Sequence, residues 1–122
     1  MSHALYHAHS SAKAFGGDPE DYLAVHEYID QSRNYLYDPR HRMLMHHATG
    51  IQLCIQQFGS YITTSHGRKV PTQHIAEQHI KEDLGCVPTL QDWAELLQRK
   101  AWMSPRAKLL FRKALEEVDG SD

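Results

Sequence analysis

The sequence predicts a mainly α-helical protein, a compact bundle of five to six helices with one small β-hairpin at about residues 61–70. Three segments open with an oxygen-bearing residue before proline, the typical start of a helix: Asp18-Pro19, Asp38-Pro39 and Ser104-Pro105. Between residues 39 and 58 apolar residues recur every three or four positions, which is the helical period. Only in "SYITTSHGRKVP" do β-branched residues flank a glycine-containing turn, the pattern of a hairpin.

The bounds of the helices follow from these start signals and from the residues that stop helices. The second helix must end before Pro39, because a residue that precedes proline avoids helical geometry. Gly85 closes the fourth helix, and Thr89 with Asp92 forms a capping-box-like start for the fifth. The six predicted helices cover about residues 3–14, 19–36, 39–58, 72–84, 90–99 and 105–118.

Length and composition indicate one domain and exclude several classes of protein. With 122 residues, 41% of them hydrophobic, the chain can build one modest core. We expect a single helical domain over residues 1–103, with residues 104–122 as an amphipathic helix and tail that packs on it or forms a homodimer. No apolar run is long enough to span a membrane, and no secretory signal is visible, so a cytoplasmic protein is expected. A net charge of -2 gives no general case for nucleic-acid binding.

The ten histidines are the most unusual feature of the composition. Two predicted helices place a histidine four residues before an aspartate, His26-x3-Asp30 and His79-x3-Asp83, so that each pair lies on one helix face. In a continuous third helix, His47 lies at the edge of the apolar stripe. The predicted metal-site residues are His26, Asp30, His47, His79 and Asp83, a set that suits Zn, Mn, Fe or Ni. The histidines are the expected ligands, and the two aspartates either bind the ion as well or orient the imidazoles.

Other histidines are expected to face solvent. In that same continuous helix His46 points about 160° from the centre of the apolar stripe, and it should be exposed. His3-x3-His7 repeats the four-residue spacing near the chain end, where we expect solvated side chains.

A divalent metal in an open site lowers the pKa of a bound water and creates a nucleophile near neutral pH. Glu77 or Glu82 could then act as the general base, and Arg42 could stabilise an anionic group. The expected reaction is metal-assisted hydrolysis of a phosphorylated or otherwise anionic small molecule, which would be the ligand of the protein.

The competing interpretation is a metal-free interaction module, linked to a phage or mobile element, that binds a host protein or ligand. The chain lacks HExxH, paired CxxC and glycine-rich phosphate motifs, and His46-His47 stands where one helical phosphohydrolase superfamily has a His-Asp dyad. Under this interpretation the histidines are buried hydrogen-bonding groups and surface residues. Whether His26, His47 and His79 converge on one point separates the two hypotheses.

Three stretches carry a family resemblance: "AKAFGGDPEDYLAVHEYID", "DPRHRMLMHHATGI" and "GRKVPTQHIAEQHIKEDLGCVPTLQDW". Their specific words are "RHR…HH..G", "GRKVP" and "EQHIKEDLG". Together they resemble a family of small bacterial and phage proteins known as a domain of unknown function, over about residues 3–103. The family has no assigned activity, so the resemblance implies no mechanism. It does imply that the domain ends near residues 102–103 and that the last helix is an addition.

Overall fold

A computed structural model of the protein describes residues 3–103 and Arg112. The α-helices in this part of the chain are α1 (His3–Phe15), α2 (Glu20–Asp30), α3 (Ala48–Phe58), α4 (Thr72–Leu84) and α5 (Leu90–Ala94). Short 3-10 helices cover Gln31–Asn34, Pro39–Leu44 and Ala101–Met103. The mainly helical prediction is confirmed. The predicted sixth helix and the dimer contact assigned to it lie outside the described residues, apart from Arg112, which is helical.

The predicted hairpin is present and is short. Strands β1 (Tyr61–Thr63) and β2 (Lys69–Pro71) pair antiparallel, with Ile62 opposite Val70. Val70 is buried against the helical core, so the hairpin is anchored on one face.

The core lies where α2 packs between α1, α3 and α4. Each helix contributes an apolar face at helical spacing, as amphipathic helices do. The buried core residues are Ala8, Tyr22, Val25, Ile29, Met45, Ile51, Cys54, Val70, Ile75, Ala76 and Ile80. Several histidines are buried beside this core, and they form the candidate site.

The predicted third helix over residues 39–58 is wrong, because the chain breaks there. A 3-10 helix ends at Leu44 and α3 begins only at Ala48. Between them His47 has extended backbone, with φ -163° and ψ 173°, and it forms the N-cap of α3. In a continuous helix Leu44 would lie on the same apolar face as Ala48 and Ile51, and the break explains why it is instead 46% exposed.

Groups that are distant in sequence hold this break in place. The N–H of Ala48 donates to the carbonyl of Pro88 over 2.9 Å. The indole Nε1–H of Trp93, in α5, donates to the carbonyl of His46 over 2.9 Å. The chain that follows α4 therefore satisfies backbone groups that a continuous helix would have paired internally.

Gly50 permits the tight turn. A Cβ at this position would lie 1.8 Å from the carbonyl oxygen of Met45, which is a backbone atom. No other residue type fits there without moving the chain, so the glycine is required by close approach.

Candidate metal centre

Four side chains bring nitrogen and oxygen ligand atoms to one point, all within 4.8 Å of one another: Asp30, His46, His79 and Asp83. His79 Nε2 lies 3.1 Å from Asp30 Oδ1 and 3.3 Å from Asp83 Oδ2. His46 Nε2 lies 2.8 Å from Asp83 Oδ2 and 3.8 Å from Asp30 Oδ1. A tetrahedral ion with bonds of about 2.0–2.1 Å separates its ligand atoms by about 3.3 Å. The four nitrogen–oxygen separations, 2.8–3.8 Å, lie on both sides of this value, so the cluster could hold a metal ion.

The four side chains come from three separate segments. Asp30 ends α2, His46 lies in the break before α3, and His79 and Asp83 lie one turn apart on α4. Both imidazoles are fully buried, and the carboxylate side chains of Asp30 and Asp83 are only 10% and 7% exposed. Helix spacing alone aligns His79 with Asp83, whereas tertiary packing brings in the other two.

Asp83 is the electrostatic centre of the cluster. Its Oδ2 faces His46 and His79, while its Oδ1 lies 3.1 Å from His7 Nε2 and 3.9 Å from Arg42 Nη2. Burial raises the pKa of this carboxyl, but hydrogen bonds from the three histidines lower it more, to a value far below its ordinary range. Asp83 is therefore a carboxylate at neutral pH.

Asp30 is also ionised. Burial raises its pKa, but the hydrogen bond and charge of His79 lower the pKa further, so the net shift is downward. The cluster therefore contains two ionised carboxylates that are nearly removed from water. Such a group requires a compensating cation.

A chain of hydrogen bonds next to the cluster runs through Gln78, Ser11 and His26, and it determines which nitrogen of His26 carries the proton. The side-chain amide of Gln78 donates to the His7 carbonyl and to Glu82, at 3.2 and 2.8 Å, so its oxygen faces Ser11. The Ser11 O–H has two oxygen acceptors, Gln78 Oε1 at 2.5 Å and the His7 carbonyl at 3.1 Å. Because the Ser11 hydroxyl hydrogen is donated to one of these oxygens, it is not available to His26. The contact of 2.7 Å between Ser11 Oγ and His26 Nε2 is therefore a hydrogen bond that His26 Nε2–H donates.

This assignment determines the tautomer of His79. Burial, and then the charges of His79 and His7, lower the pKa of His26 to about 3, so His26 is neutral. Its Nδ1 therefore accepts from His79 Nδ1–H over 2.8 Å. With Nδ1 protonated, His79 faces the carboxylates of Asp30 and Asp83 through Nε2, at 3.1 and 3.3 Å. Only a cation between these atoms, a proton or a metal ion, makes the contact favourable.

His26 and His47 are not among these four residues. His26 is one residue further from the ligand atoms, and its Nδ1 is hydrogen-bonded to His79 Nδ1. His47 uses both ring nitrogens locally: Nδ1 accepts from Gly50 N–H over 3.0 Å, and Nε2 donates to the Leu44 carbonyl over 3.1 Å. The expected convergence of His26, His47 and His79 does not occur in the described part of the chain.

His46 occupies the place that was expected for His47. The prediction that His46 is exposed is wrong, since its side chain is fully buried. The error follows from the break before α3, because helical angles cannot be extrapolated across the extended residue His47.

The two glutamates expected as general bases lie outside the cluster. Glu77 accepts from Gln73 on a face of α4 about 200° from that of His79. Glu82 accepts from His7 and from two further donors, and burial raises its pKa less than these hydrogen bonds lower it.

Arg42, expected to stabilise an anion, lies at the mouth of the cluster. Its side chain is 26% exposed. A cleft of about 190 Å³ reaches the cluster at this point, and its lining includes His3, Asp30, Arg33, His41, Arg42 and Asp83. The charged residues that line the cleft are thus two arginines, Arg33 and Arg42, and three aspartates, Asp30, Asp38 and Asp83.

His7 is a contributor that the sequence prediction missed. It is 2% exposed, its ring stacks on His79 with centroids 3.8 Å apart, and it hydrogen-bonds to Glu82 and Asp83. Burial lowers the pKa of His7, but the bonds and charges of Asp83 and Glu82 together raise it above its ordinary value. Its four-residue spacing from His3 was the available signal.

Fold and cluster together define a small, mainly helical protein with a buried His/Asp group that could bind a metal ion. The chain belongs to the family described as "Domain of unknown function (DUF6915)", whose model matches residues 2–103. No curated protein and no solved structure matches the chain. Within the described residues, every helix is too short or too polar to cross a membrane.

Proposed function

We propose that this protein binds a divalent transition metal through Asp30, His46, His79 and Asp83, and uses it to hydrolyse an anionic small molecule. The observation that carries the proposal is the convergence of these four ligand atoms, whose nitrogen–oxygen separations are 2.8–3.8 Å, around two ionised carboxylates. A divalent ion would neutralise both carboxylate charges and would be bound by His79 through a deprotonated Nε2. Two imidazoles and two carboxylates are a ligand set for Zn, Mn, Fe or Ni.

Metal coordination by His46 has a free-energy cost, which can be compared with the free energy gained when the ion binds. Its Nδ1 has no hydrogen-bond partner, so coordination through Nε2 leaves a buried N–H unsatisfied. Such a group costs about 1–3 kcal/mol. Structural zinc sites bind their ion with about 10–16 kcal/mol, so the coordination outweighs the loss.

The cleft supports hydrolysis of an anion. Arg33 and Arg42 line it together with Asp30, so an anionic group can bind beside the ion. Asp30 Oδ2 is buried without a hydrogen-bond partner, so it is an unused acceptor beside the proposed ligand atom Oδ1.

The adjacent histidines provide a matched test of the metal site. Untagged protein is purified without chelator, and its metal content is measured by plasma mass spectrometry for wild type, His46→Asn and His47→Asn. Asparagine is a good N-cap, so His47→Asn should keep the helix start and the metal. His46→Asn should lose the metal. Wild-type protein that binds none of the four metals would overturn the proposal in favour of the metal-free interaction module.

Hydrolysis is tested on the loaded protein with p-nitrophenyl phosphate, its phosphodiester analogue and a carboxylic ester. Arg42→Gln should keep the metal and lose most of the activity, whereas Arg40→Gln is the control, since Arg40 pairs with Asp38 at the surface. A loaded protein that is inactive on all three substrate classes would contradict the hydrolase assignment and leave a metal-binding protein.

A further inference from the structure

We infer that the centre holds two metal ions bridged by Asp83, the second ion bound by His3, His7 and Asp83. This inference rests on the proposed function, because the first ion occupies the other oxygen of the same carboxylate. The three residues offer ligand atoms that all lie within 4.8 Å of one another.

The histidine pair has the geometry of a ligand pair on a helix. His3 and His7 are four residues apart on α1, and their ring centroids are 6.1 Å apart. His7 Nε2 lies 3.1 Å from Asp83 Oδ1. His3 is exposed, so the second ion would lie at the surface end of the cleft.

The carboxylate of Asp83 is arranged as a bridge. Its Oδ2 faces His46 and His79, and its Oδ1 faces His7. Arg42 Nη2 is 3.9 Å from Oδ1, too far for a hydrogen bond, so it leaves this oxygen available. A carboxylate that binds one ion through each oxygen suits the separation of about 3.5–4 Å typical of two-metal sites.

The neighbours of His7 orient it as a ligand. Glu82 Oε1 accepts from His7 Nδ1–H over 2.8 Å, and Glu82 is itself held by Gln78 and Ser10. Carboxylates commonly fix metal-binding histidines in this way, since they direct the other ring nitrogen at the ion. The nitrogen directed here is the one that faces Asp83.

A second ion would narrow the substrate class. Two ions at this separation can each bind an oxygen of one phosphoryl group, as in phosphatases and nucleases. With two arginines in the same cleft, phosphate esters are the anions that fit best.

The test counts ions and detects their coupling. Full-length protein is titrated with Mn²⁺ by calorimetry, and the loaded protein is studied by electron paramagnetic resonance. The variants are His3→Ala and, as control, His9→Ala, which removes another exposed histidine from α1. We expect about two equivalents and an exchange-coupled signal for wild type and His9→Ala, and about one equivalent with the signal of isolated ions for His3→Ala.

The outcomes separate this inference from the proposed function. One equivalent in wild type and an unchanged value in His3→Ala would overturn the bridge and leave the first site intact. Two equivalents that persist in His3→Ala would also overturn it, because the second ion would then lie elsewhere. No bound ion in any variant would overturn both proposals.

Discussion

Replacement of Gly50 by alanine tests the break before α3. A continuous helix and the broken backbone predict changes of opposite sign in the free energy of unfolding. In a continuous helix, glycine to alanine stabilises the protein by about 0.8–1.0 kcal/mol. In the structure the new Cβ would lie 1.8 Å from the Met45 carbonyl oxygen, and real Cβ contacts are essentially never shorter than 3.0 Å. These atoms must therefore move apart by about 1.2 Å, and such overpacking typically costs about 1–3 kcal/mol or more.

The measurement is urea denaturation of Gly50→Ala followed by circular dichroism. Thr49→Ala is the control, because Thr49 is the exposed neighbour and its truncation should change the free energy of unfolding by no more than about 0.5 kcal/mol. His46 directly follows Met45, so the displacement should also exceed the tolerance of about 0.2 Å for metal ligands and weaken metal binding. A Gly50→Ala protein as stable as wild type, or more stable, would refute the broken backbone.

Three further predictions concern groups away from the metal ligands. Ser11→Ala removes the hydroxyl partner of buried His26 Nε2 and of half-buried Gln78 Oε1, so the free energy of unfolding in urea should fall by about 1–3 kcal/mol; a change below about 0.5 kcal/mol would contradict the hydrogen-bond order. Ellman's reagent at pH 8 should modify exposed Cys86 and spare Cys54 until unfolding, because burial raises the Cys54 pKa to about 12; two fast thiols in native protein would contradict this. Hydrogen bonds from Arg40 lower the Asp38 pKa to about 2, so their stabilisation is present above the ordinary pKa of 3.8 and is lost as pH falls through about 2. In an NMR titration, Arg40→Ala should raise this pKa towards 3.8, and an unchanged value would exclude Arg40 as the cause.

Local periodicity was sufficient for the parts of the site that lie within regular helices. The i,i+4 spacing of His79 and Asp83 depends only on helix geometry, and the structure places the two side chains together. The bounds of α4 were likewise predictable, because Gly85 closes that helix in the left-handed conformation with φ 80°.

The choice between His46 and His47 could not be made from local pattern. It depends on the break before α3, which Pro88 and Trp93 stabilise from about 40 residues further along the chain. The available signal was Gly50, which is a poor residue for a helix interior and indicated that the backbone there makes a close contact. His7 was missed for a related reason, because proximity to the chain end is a poor guide to burial when the whole of α1 packs on the core.

The arrangement couples the proposed centre to the fold. Two carboxylates and two imidazoles, all nearly removed from water, would be costly if their charges were unpaired, and native proteins have only about 5–15 kcal/mol of net stability to offset such costs. The ligands come from the end of α2, the break before α3 and the last turns of α4, so a bound ion would tie together segments that lie far apart in sequence. A cation at this point would both neutralise the buried charge and stabilise the break that places His46 in the cluster. We therefore expect metal binding and the conformation of this break to depend on one another.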